Sequence, residues 1–230
     1  MISVIIPTLN AQAGLVATLG ALVPAAAEGI VRQVVVADGG STDSTLKIAD
    51  GTGADIVMAG KGRGAQLAAG ARNAKQPWLL FLHADTVLET GWEREAVAFM
   101  ERVDMGNREP AAASFRFALD DIGLAPRVLE RLVGLRCALL RLPYGDQGLL
   151  IPKRLYEEIG GYRPYPLMED IDLVLRLKRR QRIMFRTSAV TSALRYRRAG
   201  YTRRVLRNQL CLALYALRVP AERIERLYAD

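Results

Sequence analysis

The chain is poor in the residues that build disulfide scaffolds and imidazole clusters. It has two cysteines, Cys137 and Cys211, and one histidine, His83, among 230 residues. Both cysteines sit inside apolar helical patterns, which reads as core or interface thiols and suits a reducing, cytoplasmic compartment. The start MISVIIPTLN lacks a basic n-region and a cleavage site, so no signal peptide is expected. No apolar run reaches the roughly 18 residues of a membrane span. Low-complexity stretches, internal repeats and a linker between lobes are missing, which leaves one domain over residues 1–230 as the expectation. Zinc-finger spacing, an aromatic RNA-binding signature and a basic zipper are absent too, so nucleic acid is not an expected partner.

Half of the residues are hydrophobic, enough for a substantial core, and the net charge is +8. That charge is uneven. Residues 174–230 hold 15 Lys/Arg against 3 Asp/Glu, a balance of +12, whereas the first 173 residues stand at −4. A cationic end of this kind is either a solvated surface or a contact for an anionic membrane or a phosphorylated acceptor. The helical pattern over 202–219 begins with Arg203, Arg204 and Arg207 and turns apolar from Leu210 to Leu217. It either completes the core through Leu210, Leu214 and Leu217 or lies at the inner membrane face, with Arg195, Arg197 and Arg198 just upstream.

Strand and helix patterns alternate through the first half. Strands are expected at 2–7, 33–37, 55–58 and 78–82, and helices at 11–23, 44–49, 64–74 and 91–102. This alternation predicts βαβ units and a doubly wound, mostly parallel α/β sheet with flanking helices. The second half predicts strands at 111–117 and 148–151 and helices at 124–142, 153–159, 169–180 and 202–219. The 124–142 helix is amphipathic, with Arg127, Arg131, Arg136 and Arg141 on its polar side.

Ligands of open α/β sheets bind beyond the carboxyl ends of the strands. Three such ends carry polar groups: Pro7-Thr8-Leu9-Asn10, Asp38-Gly39-Gly40-Ser41-Thr42-Asp43 and His83-Ala84-Asp85. Asp38 can accept a hydrogen bond from a base or ribose, with glycines that let a ligand approach; Ser41, Thr42 and Asp43 read equally well as helix caps. Lys61-Gly62-Arg63-Gly64 is a cationic, glycine-rich turn before a helix, either a pyrophosphate cradle or an ordinary basic turn. It lacks the Gly-Lys-Ser/Thr ending of a Walker A loop. Asp85 is suited to a divalent cation, Mn or Mg, that bridges two phosphates. Strand alternation puts His83 on the same side as Asp85. Glu169 and Asp170 either complement a helix dipole or supply a general base. Asp146 and Gln147, within Tyr144-Gly145-Asp146-Gln147-Gly148, can orient an acceptor.

The segments SVIIPTLN, DGGSTDST, LLFLHADT, YGDQG and LMEDIDLVLRL occur in this order and cover nearly the whole chain. Together they resemble the family 2 glycosyltransferases of GT-A fold. Leu-His-Ala-Asp-Thr and Gly-Asp-Gln-Gly further resemble the bacterial radical-SAM/selenodomain-associated subgroup. The resemblance implies a nucleotide-binding half (1–103) and an acceptor-binding half (104–230). It implies that Pro7, Thr8 and Leu9 line the nucleotide pocket, that Asp38 and Gly39 meet the base or ribose, and that Lys61 and Arg63 lie near the donor phosphates. His83 and Ala84 fall on the nucleotide-sugar side. Asp85 matches the second acid of an Asp-X-Asp metal motif, Tyr144, Asp146 and Gln147 match the acceptor side, and Asp170 matches the catalytic base with Glu169 beside it. His83 stands where the first metal-motif acid is usual, and Ala11 and Gln12 stand where acids are common. The implied reaction is an inverting, metal-assisted transfer of a sugar from a nucleotide-diphosphate sugar to an acceptor hydroxyl. Two alternatives are a nucleotidyltransferase on a similar sheet and a catalytically inactive nucleotide-binding or membrane-docking protein.

Overall fold

A computed structural model describes residues 1–106, 108–221, 223 and 224. The first strand shows why the sheet is central: Ile2–Thr8 (β1) is a short β-branched run buried at every position. A strand buried throughout needs cover on both faces. Side-chain alternation supplies the two faces. Val4, Ile6, Trp78 and Leu80 join one core cluster with Leu15, Trp92 and Phe99. Ile5, Leu79 and Phe81 join the other with Leu67, Leu155 and Leu173.

The remaining strands are β2 (Val31–Asp38), β3 (Asp55–Met58), β4 (Trp78–Phe81), β5 (Thr86–Leu88), β6 (Ala112–Leu119), β7 (Leu149–Pro152) and β8 (Arg182–Thr191). They form one eight-stranded sheet in the order β3-β2-β1-β4-β7-β6-β8-β5. The first four strands are mutually parallel. β7 runs antiparallel to both β4 and β6, and β5 runs antiparallel to β8. Because β6 and β8 are parallel, every strand except β5 and β7 points the same way. The mostly parallel α/β expectation is met.

The helices are α1 (Gln12–Gly20), α2 (Val23–Ala27), α3 (Thr45–Gly51), α4 (Arg63–Asn73), α5 (Trp92–Asp104), α6 (Leu124–Leu140), α7 (Lys153–Glu158), α8 (Glu169–Arg176), α9 (Leu194–Ala199) and α10 (Tyr201–Ala216). Among the described residues no helix is long and apolar enough to cross a membrane. The helix expected over 11–23 is shorter, and a second one starts at Val23 with Pro24 in its first turn. The helix expected over 169–180 stops at Arg176, where Leu177 turns extended. The sequence reading missed β5, β8 and α9. β8 has ten residues, but only Phe185, Ala189 and Thr191 along it are fully buried, and Arg182 and Arg186 interrupt its apolar pattern. The cationic end is therefore not one surface feature, since it also supplies an inner strand of the sheet.

Gly64, in the first turn of α4, packs against the loop before α8. Its N–H donates to the Tyr165 carbonyl at 3.2 Å. A Cβ there would collide with the Arg163 carbonyl and lie 2.7 Å from the Tyr165 oxygen. Backbone cannot yield as a flexible side chain does, so Gly64→Ala is expected to destabilise the fold by about 1–3 kcal/mol, as overpacking does. Urea denaturation measures this, and an unchanged midpoint would refute the tight junction.

Candidate active site

The loops beyond β1 and β2 are built around one carboxylate. Asp38, at the end of β2, has no exposed surface. Its Oδ1 accepts hydrogen bonds from Thr8 Oγ1 at 2.8 Å and Ser41 Oγ at 2.5 Å; its Oδ2 accepts the N–H groups of Gly40 and Ser41 at 2.8 and 2.7 Å. Burial pushes the Asp38 carboxyl up, but the bonds from Ser41, Thr8 and Gly40 outweigh it and hold the group below its ordinary value. The expected contact of Asp38 with a base or ribose is thus not open in this conformation; the carboxylate shapes the loop. Pro7 and Thr8 are buried with it, whereas Leu9 is about half exposed. Gly39 has no room for a Cβ, because Gln66 Nε2 lies 2.8 Å away. That amide also donates to the Thr8 and Ala37 carbonyls at 2.5 and 3.2 Å, strapping two strand ends together. Nothing in the Ala-rich 64–74 pattern singled out Gln66.

Beyond β4, the His83-Ala84-Asp85 turn rests on α1. Thr18 Oγ1 donates to the Ala84 carbonyl at 3.0 Å, and a Cβ on Gly14 would lie 2.7 Å from that same oxygen. Ala84 itself packs into the main core and does not line the pocket described below. His83 and Asp85 both face an open pocket, in keeping with the alternation argument. The far side of this turn is zipped to β8. Ser192 N–H donates to the Asp85 carbonyl at 3.0 Å, and the Thr86 and Thr191 hydroxyls meet at 2.9 Å.

The Gly145-Asp146-Gln147 turn completes the floor. Gly145 N–H donates to Asp170 Oδ2 at 2.6 Å. A Cβ on Gly145 would sit 2.9 Å from His83 Nε2 and 3.1 Å from Asp170 Oδ2, so a larger residue there would displace both side chains. Gln147 is buried and serves structure: its amide donates to the Phe115 carbonyl at 2.9 Å, and its oxygen accepts Tyr144 N–H and Arg136 Nη2, both at 3.2 Å. The expected acceptor contact of Gln147 is therefore replaced by a strut beneath the turn. Arg136 also stacks 3.4 Å over the Tyr144 ring, so it is not on the outer polar side of α6 as the pattern suggested.

α8 sorts three neighbouring acids into three roles. Met168 caps the helix in a left-handed conformation, φ 66°, a strained geometry for a non-glycine residue that tends to occur at functional sites. Asp172 turns inward and pairs with Arg163 at 3.0 Å and Arg176 at 2.7 Å. Glu169 is wholly buried, with Arg63 Nε 3.1 Å from its Oε1 but no aligned hydrogen bond to either oxygen. Asp170 alone of the three faces the open pocket.

That pocket joins Arg63, His83, Asp85, Tyr144, Asp146 and Asp170 from the sequence expectations. Lys61 is exposed and does not line it. The far wall holds residues that sequence reasoning missed: Ser192, Arg195, Tyr196, Arg204 and Asn208, from the end of β8 and from α9 and α10. The only available signal was the run of arginines, which read as surface charge. Arg63, Arg195 and Arg204 line the pocket together with Asp85, Asp146 and Asp170, so both signs of charge meet in it.

Burial, reinforced by Arg63 and Arg195, pushes His83 down to about 3, so its imidazole is neutral. Burial pushes Asp146 up to about 6, against the pull of Arg136. Burial likewise pushes Glu169 up to about 7, against Arg63. Asp146 Oδ1 is buried without a hydrogen-bond partner. Among the described residues no three His, Cys, Asp or Glu side chains converge as a ready-made metal cage. Magnesium and manganese commonly take one or two protein carboxylates and complete the shell with substrate phosphates. Asp85, with the unpartnered Asp146 oxygen in the same pocket, fits that pattern.

Similarity to solved structures identifies the fold. Glucosyl-3-phosphoglycerate synthase from Mycobacterium tuberculosis, in complex with Mn2+, UDP and glucosyl-3-phosphoglycerate, superposes with TM-score 0.58 at 18% identity, covering 91% of this chain and 78% of that one. Its complex with Mn2+, UDP and phosphoglyceric acid gives 0.60 at 18%, covering 96% and 79%. S. aureus TarS with UDP-GlcNAc gives 0.58 at 16%, covering 83% of this chain and 58% of that one. The architecture is that of the GT-A glycosyltransferases. Residues 3–113 match the sequence model of the family described as Glycosyl transferase family 2. No curated protein matches the chain.

Glu169 gives a pH test of this geometry. Its carboxyl is raised in the folded state, so its contribution to stability is complete below its ordinary value of 4.5 and is lost as pH rises through about 7. Glu169→Gln should remove that loss. Between pH 5 and pH 8 the variant is expected to lose less stability than the wild type, by on the order of 1–3 kcal/mol. Parallel urea-midpoint profiles for the two proteins would overturn the assignment.

Proposed function

We propose that the whole chain is a family 2 glycosyltransferase that transfers a sugar, with inversion, from a nucleoside-diphosphate sugar to an acceptor hydroxyl. The observation that carries this reading is Asp170. It is a carboxylate fixed at 2.6 Å by a backbone N–H, open to the pocket, and set among Asp85, Arg63 and Arg195 at the carboxyl edge of a GT-A sheet. The match over residues 3–113 and the GT-A neighbours crystallised with UDP, UDP-GlcNAc and Mn2+ support it. The Leu-His-Ala-Asp-Thr and Gly-Asp-Gln-Gly segments support the radical-SAM/selenodomain-associated subgroup as the finer placement. On this reading a single domain divides its labour, with 1–103 receiving the nucleotide and 104–230 the acceptor, in a cytoplasmic setting.

In the proposed mechanism Asp170 removes the proton from the acceptor hydroxyl while that oxygen attacks the anomeric carbon and the bond to the diphosphate breaks. The Gly145 N–H keeps one Asp170 oxygen aimed during this step. Arg63 and Arg195 stabilise negative charge as it develops on the leaving diphosphate, an electrostatic contribution that is large in a preorganised site. Neutral His83 presents no charge of its own to the donor. Asp85, with Asp146 as second oxygen donor, would hold a divalent cation, which supplies Lewis-acid neutralisation of the diphosphate. Tyr144 and Asp146 orient the acceptor side, and Leu9 offers the exposed apolar contact next to the nucleotide loop. Lys61, exposed at the rim, is left with a long-range role in attracting the donor.

Asp170→Asn is expected to lower turnover by about 100- to 10,000-fold, the usual range for a general base, while donor binding changes little. Assays with labelled nucleotide sugars and, separately, labelled nucleoside triphosphates measure this and distinguish sugar transfer from nucleotidyl transfer. Loss of turnover in Glu169→Gln with Asp170→Asn fully active would exchange the two roles.

Nucleoside-diphosphate binding is expected to be tighter in manganese than in chelator, and Asp85→Ala should abolish the difference. Calorimetry giving equal affinity in both conditions for the wild type would remove the metal from the mechanism.

A further inference from the structure

α6 has seventeen residues, yet only Pro126, Leu129 and Cys137 are buried. Leu129 and Val133 pack inward against Tyr196, Tyr201 and Val205 of α9 and α10. On the opposite side Val128, Leu132, Leu135 and Leu139, spaced by three and four residues, form a continuous outward stripe with 43–60% of each residue exposed. The segment leading into the helix extends it, with Ile122 97% and Leu124 79% exposed. α10 repeats the arrangement. Cys211 is its one buried residue, while Leu206 and Leu210, one turn apart, and Leu217 just past its end are exposed. Leu210 and Leu217 therefore do not complete the core, although Leu214 packs against it. Contiguous apolar stripes of this length are uncommon on the surface of a monomer and mark a contact.

Charge selects the occupant. Exposed Arg131 flanks the α6 stripe, and exposed Arg203 lies along the α10 stripe one turn before Leu206 and two turns before Leu210. Both helices border one shared cluster; α10 belongs to the cationic end, and α6 carries Arg127, Arg131 and Arg136 against Glu130 alone. A second copy of the chain would bring like-charged rims together. An anionic lipid bilayer satisfies both components at once: leucines enter the headgroup–acyl boundary and arginines stay at phosphate level. We propose that the outward faces of α6 and α10 form a docking surface for an anionic membrane. The inner face of α10 supplies Arg204, Asn208 and Leu212 to the pocket, so docking would hold the pocket at the lipid surface. The inference does not rest on the sugar-transfer reading.

The test is flotation of the full chain with vesicles of phosphatidylcholine alone or mixed with phosphatidylglycerol, at low and high salt. Binding is expected on the anionic vesicles at low salt, weaker by about tenfold or more on neutral vesicles, and reduced by high salt. Leu132→Ser/Leu135→Ser/Leu139→Ser should lose binding by about tenfold or more while retaining the wild-type urea midpoint, because these side chains are already exposed. Arg131→Glu/Arg203→Glu should lose the salt-sensitive part. Absence of flotation on anionic vesicles at low salt overturns the proposal. So does light scattering that shows a lipid-free dimer dissociated by the leucine triple, which would make the surface a self-interface.

Discussion

The site depends on the close approach of Gly145 to two side chains from distant parts of the chain. Its N–H holds Asp170 at 2.6 Å, and the space where a Cβ would stand is filled by His83 and Asp170. That contact joins the turn after β4, the turn before β7 and the start of α8 at one point. The surrounding bonds serve the same convergence. Gln147 anchors the turn from below, Thr191 Oγ1 donates to the Asp146 carbonyl at 3.1 Å, and Ser192 ties Asp85 to the end of β8. Removing solvent from this junction raises the Asp146 and Glu169 carboxyls and lowers the His83 imidazole, so the geometry sets the charge pattern along with the shape.

The N-terminal half was legible because local pattern and tertiary environment agree there. β1, β2 and β4 are apolar runs ended by turn residues, and their burial on both faces makes each run continuous. Asp85 and Asp170 stood out in the sequence, each just beyond or at the start of an element, and both line the same pocket. β8 was not readable, because its arginines and partial burial hide an inner strand whose partners lie far off in sequence. Gln147 and Asp38 show a different limit. A polar residue in a motif can hold the loop or touch a ligand, and only the hydrogen-bond inventory separates these. Both turned out to be filled from within the protein.

The cationic end likewise resolves into distinct parts. Arg176 and Arg182 bond backbone carbonyls, Arg195 and Arg204 enter the pocket wall, and Arg203 lies outside along α10. A single net charge of +12 over this region therefore describes three physical situations: half-buried struts, pocket-lining guanidiniums and solvated rim. The same residue type serves all three because its planar fork satisfies carbonyls and anions alike while its stem packs against apolar surface.

The pairing of β5 with β8 spans 105 residues between Thr86 and Thr191. During synthesis from the amino terminus, the β1–β4 layer and its helices can assemble early from near neighbours, whereas the Asp85 turn waits for a strand made much later. A nascent chain thus holds the parallel layer before it holds the pocket. The pocket is therefore a late product of synthesis, and chains interrupted before β8 carry the parallel scaffold without it.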